Sequence, residues 1–231
     1  MKKILIIIML AYFILNYSSC LTSLYPLVTA KNITVEKQIE GQWMYQAMEI
    51  TIRRHPDSLI RFLMRNNHSP NRSNDSILYS QAYLAIFQKD SVEYDFQLAL
   101  TRLGNNLFMN LAPAGFEKKN MDDIEWVKRY GNMLTYLPTY TIAKMQIQDN
   151  KMLVIKFLNG LFIKQQVKVG KVMIKHEEDE LFDMFLITAS SEELQQFLRK
   201  YGDDERLYSK ENIIILKRKG ADYVIKKVMD H

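Results

Sequence analysis

The sequence predicts a mainly β fold: an antiparallel meander that closes into a barrel and carries one C-terminal helix on its surface. Three observations predict it. Short apolar or alternating runs rich in Val, Ile, Tyr and Phe recur along the chain, separated by turn-forming residues, as in hairpin-linked strands. One stretch, residues 190–201, has helical spacing with both ends marked. The runs are of similar length and follow in order, and closing such a meander leaves the fewest exposed edges. A two-sheet sandwich is the alternative arrangement.

Residues 43–53 are the first run, in which Trp43, Tyr45, Ala47, Glu49 and Thr51 alternate with Met44, Gln46, Met48, Ile50 and Ile52, so either set can face inward. Residues 77–88 are the second, and Lys89-Asp90 turns them into 92–100. Leu103-Gly104-Asn105-Asn106 leads into 107–111, because Gly and Asn tolerate positive φ. Residues 140–148 and 152–158 form the next pair around Asp149-Asn150. Asn159-Gly160 between extended runs predicts a type I′ turn into a strand over 161–169. Residues 172–176 extend the series, 176–180 read as a charged loop, and 182–188 as a strand. The helix opens with a capping box, Ser190 and Glu193, and stops at Gly202. Its Leu194, Phe197, Leu198 and Tyr201 form one stripe that packs on the sheet. Residues 212–219 are a last strand and 220–231 a frayed terminal helix. Two insertions, 54–76 and 113–131, each with a short helix (58–64 and 122–130), interrupt the meander. Loops of such length serve as lids and binding loops or as packing arms.

Met1-Lys2-Lys3 precedes an apolar run over residues 4–15, shorter than the about 20 residues that span a bilayer. Asn16, Ser18 and Ser19 end it, which is the pattern of a signal peptide. The single Cys, Cys20, follows Tyr17-Ser18-Ser19. This stretch resembles a bacterial lipobox of the looser kind seen in Bacteroidetes, with Tyr17 in place of the usual aliphatic residue. The resemblance implies cleavage before Cys20, acylation of its thiol and membrane anchoring through the N-terminal lipid. An ordinary secretory peptide with a chance Cys is the alternative. Leu21 stands where an inner-membrane retention signal would have Asp, and no acidic run follows, so the expected location is the outer membrane, periplasmic face. Residues 1–19 then read as signal peptide, 20–40 as lipidated Cys and tether, and 41–231 as one β-rich domain.

Residue types narrow the function. One Cys excludes an internal disulfide framework and a Cys-rich zinc module. Removal of Lys2 and Lys3 from the 31 basic residues leaves 29 against 26 acidic ones, a formal charge of +3 in place of +5. The basic residues are interspersed with acidic ones, so no nucleic-acid partner is expected. No nucleophile elbow, zinc-binding His pair, Cys pair or phosphate loop occurs, and no catalytic residue is assigned. An envelope hydrolase built from dispersed carboxylates is the enzymatic alternative. His55, His68, His176 and His231 share no ligand spacing, and the acidic run 177–180 lacks the spacing of a calcium loop, so no metal or other cofactor is expected.

Gly41-Gln42-Trp43 at the head of the first strand, then hairpin-linked strands, a helix and a final strand, is an order similar to the lipocalin family. The resemblance implies a barrel whose floor closes at Gly-x-Trp, with the helix packed outside. The family's disulfide and its further motifs are not found. Trp43 and Tyr45 are the candidate ligand-contacting residues, with core packing as the alternative, because aromatic side chains line both cores and pockets. The expected function is a non-enzymatic outer-membrane lipoprotein that binds a small apolar or amphiphilic ligand. The alternative is an accessory lipoprotein that docks on an envelope protein of an outer-membrane complex.

Overall fold

The computed structural model describes residues 21–54, 80–89, 92–113, 139–179 and 184–220. Two short strands, β1 (Thr22–Ser23) and β2 (Ile33–Thr34), and a 3-10 turn at Lys37–Ile39 lead into the barrel. The staves follow in meander order: β3 (Gly41–Tyr45), β4 (Met48–Arg54), β5 (Tyr83–Lys89), β6 (Val92–Leu103), β7 (Asn106–Pro113), β8 (Tyr140–Gln148) and β9 (Met152–Leu158). Then come α1 (Gly160–Lys168), β10 (His176–Asp179), β11 (Met184–Ile187) and α2 (Ser191–Tyr201). The eighth stave, β12 (Tyr208–Arg218), pairs antiparallel with both β9 and β3 and closes the ring. The predicted barrel is thus present, and the sandwich is not. Eight strands enclose an interior just wide enough to be filled by side chains or to hold one small ligand.

Strand alternation sends apolar side chains to both faces of the sheet. Inward, Trp43, Ile50, Leu100, Leu107, Met145 and Leu153 build the barrel core. Outward, Phe108 and Ile142 meet the stripe Leu194, Phe197 and Leu198 of α2, together with Ile163 of α1, in a second core. α2 has the predicted capping box: Glu193 N–H donates to Ser190 Oγ at 3.3 Å, and Ser190 N–H to Glu193 Oε2 at 2.8 Å.

Several elements differ from expectation. Residues 43–53 are two strands, because the chain reverses at Gln46-Ala47 between the paired Tyr45 and Met48, with Gln46 at φ 53°. Asn159 starts a helix instead of a hairpin: its side chain accepts from Phe162 N–H at 3.1 Å, and Ile163 and Val167, four apart, face the second core. The charged stretch 176–179 is the edge strand β10, in which Glu178 pairs with Lys164 and Lys168 of α1 at 3.0 and 3.1 Å. Among the described residues of the second run the strand begins at Tyr83, with 80–82 outside it, and the last strand begins at Tyr208. Residues 171–175 are irregular. The expected tether over 21–40 is packed into the fold. Leu21, Leu27, Val28 and Ile39 are buried, Leu27 N–H donates to the buried Asn110 Oδ1 at 2.9 Å, and Gln195 of α2 clamps Leu27 O at 3.0 Å. The signal segment, Cys20, both insertions' predicted helices and the tail beyond Gly220 lie outside the described residues.

Candidate binding cavity

The floor of the barrel is built around Trp43. Its indole N–H donates to Ile39 O at 2.8 Å, which fixes the 3-10 turn beneath the ring. The Arg218 guanidinium lies 4.2 Å from the ring centroid and donates to the carbonyls of Gln38, Glu40 and Asn150 at 2.6–2.9 Å. Gly41 makes this possible: it has φ 132°, and a Cβ there would lie 2.5 Å from Arg218 Nη1. The Gly-x-Trp motif therefore serves as the floor.

Above that floor the staves part around a cavity of about 390 Å³. Its deep wall is Ile50 and Ile52 of β4, Ala85 of β5, Leu98 of β6, Met109 of β7 and Leu216 of β12, all buried. The half-buried Met48, Phe87, Phe96, Leu111 and Phe157, with the exposed Tyr94, form the rim. Phe87 and Phe96 meet edge to face with centroids 5.1 Å apart. Among the described residues no polar atom faces the cavity. Its described lining presents only apolar surface, whose removal from water is favourable.

Trp43 and Tyr45 do not line this cavity: Trp43 is fully buried below it, and Tyr45 packs, half-buried, against the same core. Sequence reasoning missed the rim aromatics. Their signal was the alternation Tyr83, Ala85, Phe87 and Tyr94, Phe96, Leu98, one face of each strand on either side of a predicted turn.

The titratable groups Tyr208, Lys144 and His176 have structural partners. Burial pushes the Tyr208 hydroxyl well above its ordinary range, and it donates to Gly202 O at 2.7 Å. Lys144, also buried, reaches the same oxygen at 3.0 Å. His176 Nδ1 lies 2.9 Å from Ile174 O. Among the described residues no group of three or more His, Cys, Asp or Glu side chains is placed to hold a metal. A second, shallower groove of about 1010 Å³ runs between the α1–β10 connection and α2, and its walls mix charged and apolar groups, including the Lys175–Glu193 ion pair at 2.8 Å. No helix among the described residues is long and apolar enough to cross a membrane. Comparison of the chain with protein-family models, curated proteins and solved structures gives no match.

Proposed function

We propose that this chain is an outer-membrane lipoprotein, anchored through acylated Cys20, whose barrel binds one small apolar or amphiphilic molecule. The observation that carries the binding half of this reading is the all-apolar cavity. The lining of that space is apolar, so a hydrocarbon group that displaces water from it is favoured by roughly 25 cal/mol for each Å² covered. A ligand of about a dozen carbon atoms, each taking roughly the 30 Å³ of a liquid water, fills it. The anchoring half rests on the signal-like segment and on Cys20 as the sole Cys.

Native mass spectrometry of the chain from Leu21 onward, purified from the periplasm in which it folds, tests the binding half. A retained mass of a few hundred daltons is expected, and its identity defines the ligand class. A bare polypeptide mass after gentle desolvation, with the barrel intact by circular dichroism, overturns ligand carriage and favours the accessory, partner-docking reading.

A further inference from the structure

The barrel closes along an incomplete seam. β12 pairs with β9 from Ile213 through Lys217, but with β3 only at Lys217 and Arg218, because β3 ends at Tyr45 and the chain turns back at the exposed Gln46-Ala47. The stretch Ile213-Ile214-Ile215-Leu216 therefore stands above that turn with one edge that meets no strand among the described residues. Arg218 N–H donates to Lys151 O on the β9 side and Lys219 N–H to Gln42 O on the β3 side, both at 2.9 Å. Backbone groups of successive residues point to opposite edges of a strand. Those of Ile213 and Ile215 thus face the open side, while those of Ile214 and Leu216 face β9. Side chains alternate as well: Ile214 and Leu216 line the cavity, as does Met48 just past the turn, and Ile215 points outward, 45% exposed. Sheet edges are normally shielded by bulges and lysines. Here the bulge between Tyr208 and Ile213 bounds the stretch at one end and the exposed Lys217 at the other, and three Ile and one Leu lie open between them.

We infer that this seam is a docking edge for an extended peptide of a partner protein, which adds as a strand to β12 and sends one apolar side chain, opposite Ile214, into the cavity mouth. The occupant is a peptide because the open groups are the N–H donors and carbonyl acceptors of Ile213 and Ile215, which recur about every 7 Å along the edge. Another extended backbone matches that spacing, and a hydrocarbon ligand does not. Opposed residues of paired strands share a face. The edge accordingly selects an apolar residue against Ile214, β-branched residues against Ile213 and Ile215, and an acidic residue near Lys210 or Lys217, both exposed. A second copy of this chain brings only the same short edge, with its own β3 already on Lys217. Docking there requires neither the lipid anchor nor a ligand in the cavity.

The test uses the full chain and a blocked peptide of alternating Thr and Val with one central Leu and an Asp at each end. Amide exchange at Ile213 and Ile215, followed by NMR, should be fast in the free protein and roughly tenfold or more slower with the peptide bound, while Ile214 and Leu216 stay slow throughout. Peptides methylated on every second backbone nitrogen should bind in one parity and fail in the other. Ile215→Pro removes a donor from the open edge and none from the β9 ladder. It should keep a near-native Tm and bind the peptide about tenfold more weakly, the worth of one hydrogen bond. Slow exchange at Ile213 and Ile215 in the free monomer overturns the inference, because the chain then covers its own edge. So does the absence of peptide binding, or binding that ignores both the methylation parity and Ile215→Pro. A dimer that Ile215→Pro dissociates assigns the edge to a second copy instead. Should Ile215→Pro fail to fold, the methylated peptides decide the matter with the native chain.

Discussion

Gly202 shows how one residue can be fixed by close approach and not by backbone freedom. It ends α2 with φ −64°, a conformation any residue adopts, yet a Cβ there would collide with Leu198 O and lie 2.9 Å from the Phe108 ring. Its carbonyl also accepts from Tyr208 Oη and Lys144 Nζ, so any shift spreads to two buried polar groups. Gly202→Ala is therefore expected to cost about 1–3 kcal/mol, as overpacking does in a tight core, read as a Tm lower by several degrees in a thermal melt. Gly104 makes the contrast: it has φ 62° with open space around it, so Gly104→Ala carries only the left-handed penalty of about 1–2 kcal/mol. If Gly202→Ala melts with the native protein, the packing account of this residue fails.

At the level of elements, the edge strand β10 is held by charge as well as by its ladder to β11. Hydrogen bonds from Lys164, and then from Lys168, hold the Glu178 carboxyl below its ordinary value of 4.5, while Lys175 and the Ser190 N–H do the same for Glu193 at the start of α2. A carboxylate depressed in the folded state adds stability above its unfolded value, and that stability is lost as the pH falls through the folded value. The Tm should accordingly decline as the pH drops from about 5 toward 3. Glu178→Gln should flatten that slope and melt slightly below the native protein at pH 6, the two curves converging at low pH; parallel curves would contradict the assignment. Glu178 also shows where sequence patterns mislead. A run such as 176–180 reads as a solvated loop, because its neutralising lysines lie on a helix that the same reading took for a strand. Asn159 has the same ambiguity, since Asn favours both hairpin turns and helix N-caps, and the short apolar run Leu161-Phe162-Ile163 has no period that decides between them. The parts legible in advance were those with one physical solution: the β8–β9 hairpin, where Asp149 and Asn150 take φ of 50° and 54°, and α2 with its capping box. The candidate site was the least legible. Which face of each strand points inward depends on the turn at Gln46-Ala47, which switches parity so that Trp43 before it and Ile50 after it share the interior.

At the scale of the whole molecule, two alanines in adjacent strands test whether the interior is a binding site or only a loosely filled core. Ala85 of β5 faces the cavity, flanked by Ile52 on one side and Phe96 on the other. Ala99 of β6 faces outward and is packed with Val28 and Ala82 under the N-terminal strap. The same substitution should then have opposite consequences. Ala85→Phe places a ring into available space, so the barrel should keep a near-native Tm while binding of an amphiphilic naphthalene-sulfonate probe weakens at least tenfold. Ala99→Phe has no such space, so it should lose about 1–3 kcal/mol to overpacking and bind the probe as the native protein does. Fluorescence titration and thermal melts on the two variants separate these outcomes. If Ala85→Phe binds the probe with native affinity, the probe sits elsewhere, the groove beside α2 being one such place, and the cavity is packing space. If it melts well below the native protein, the space closes in solution, and the apolar interior between the floor at Trp43 and the rim at Phe87 is a core without a pocket.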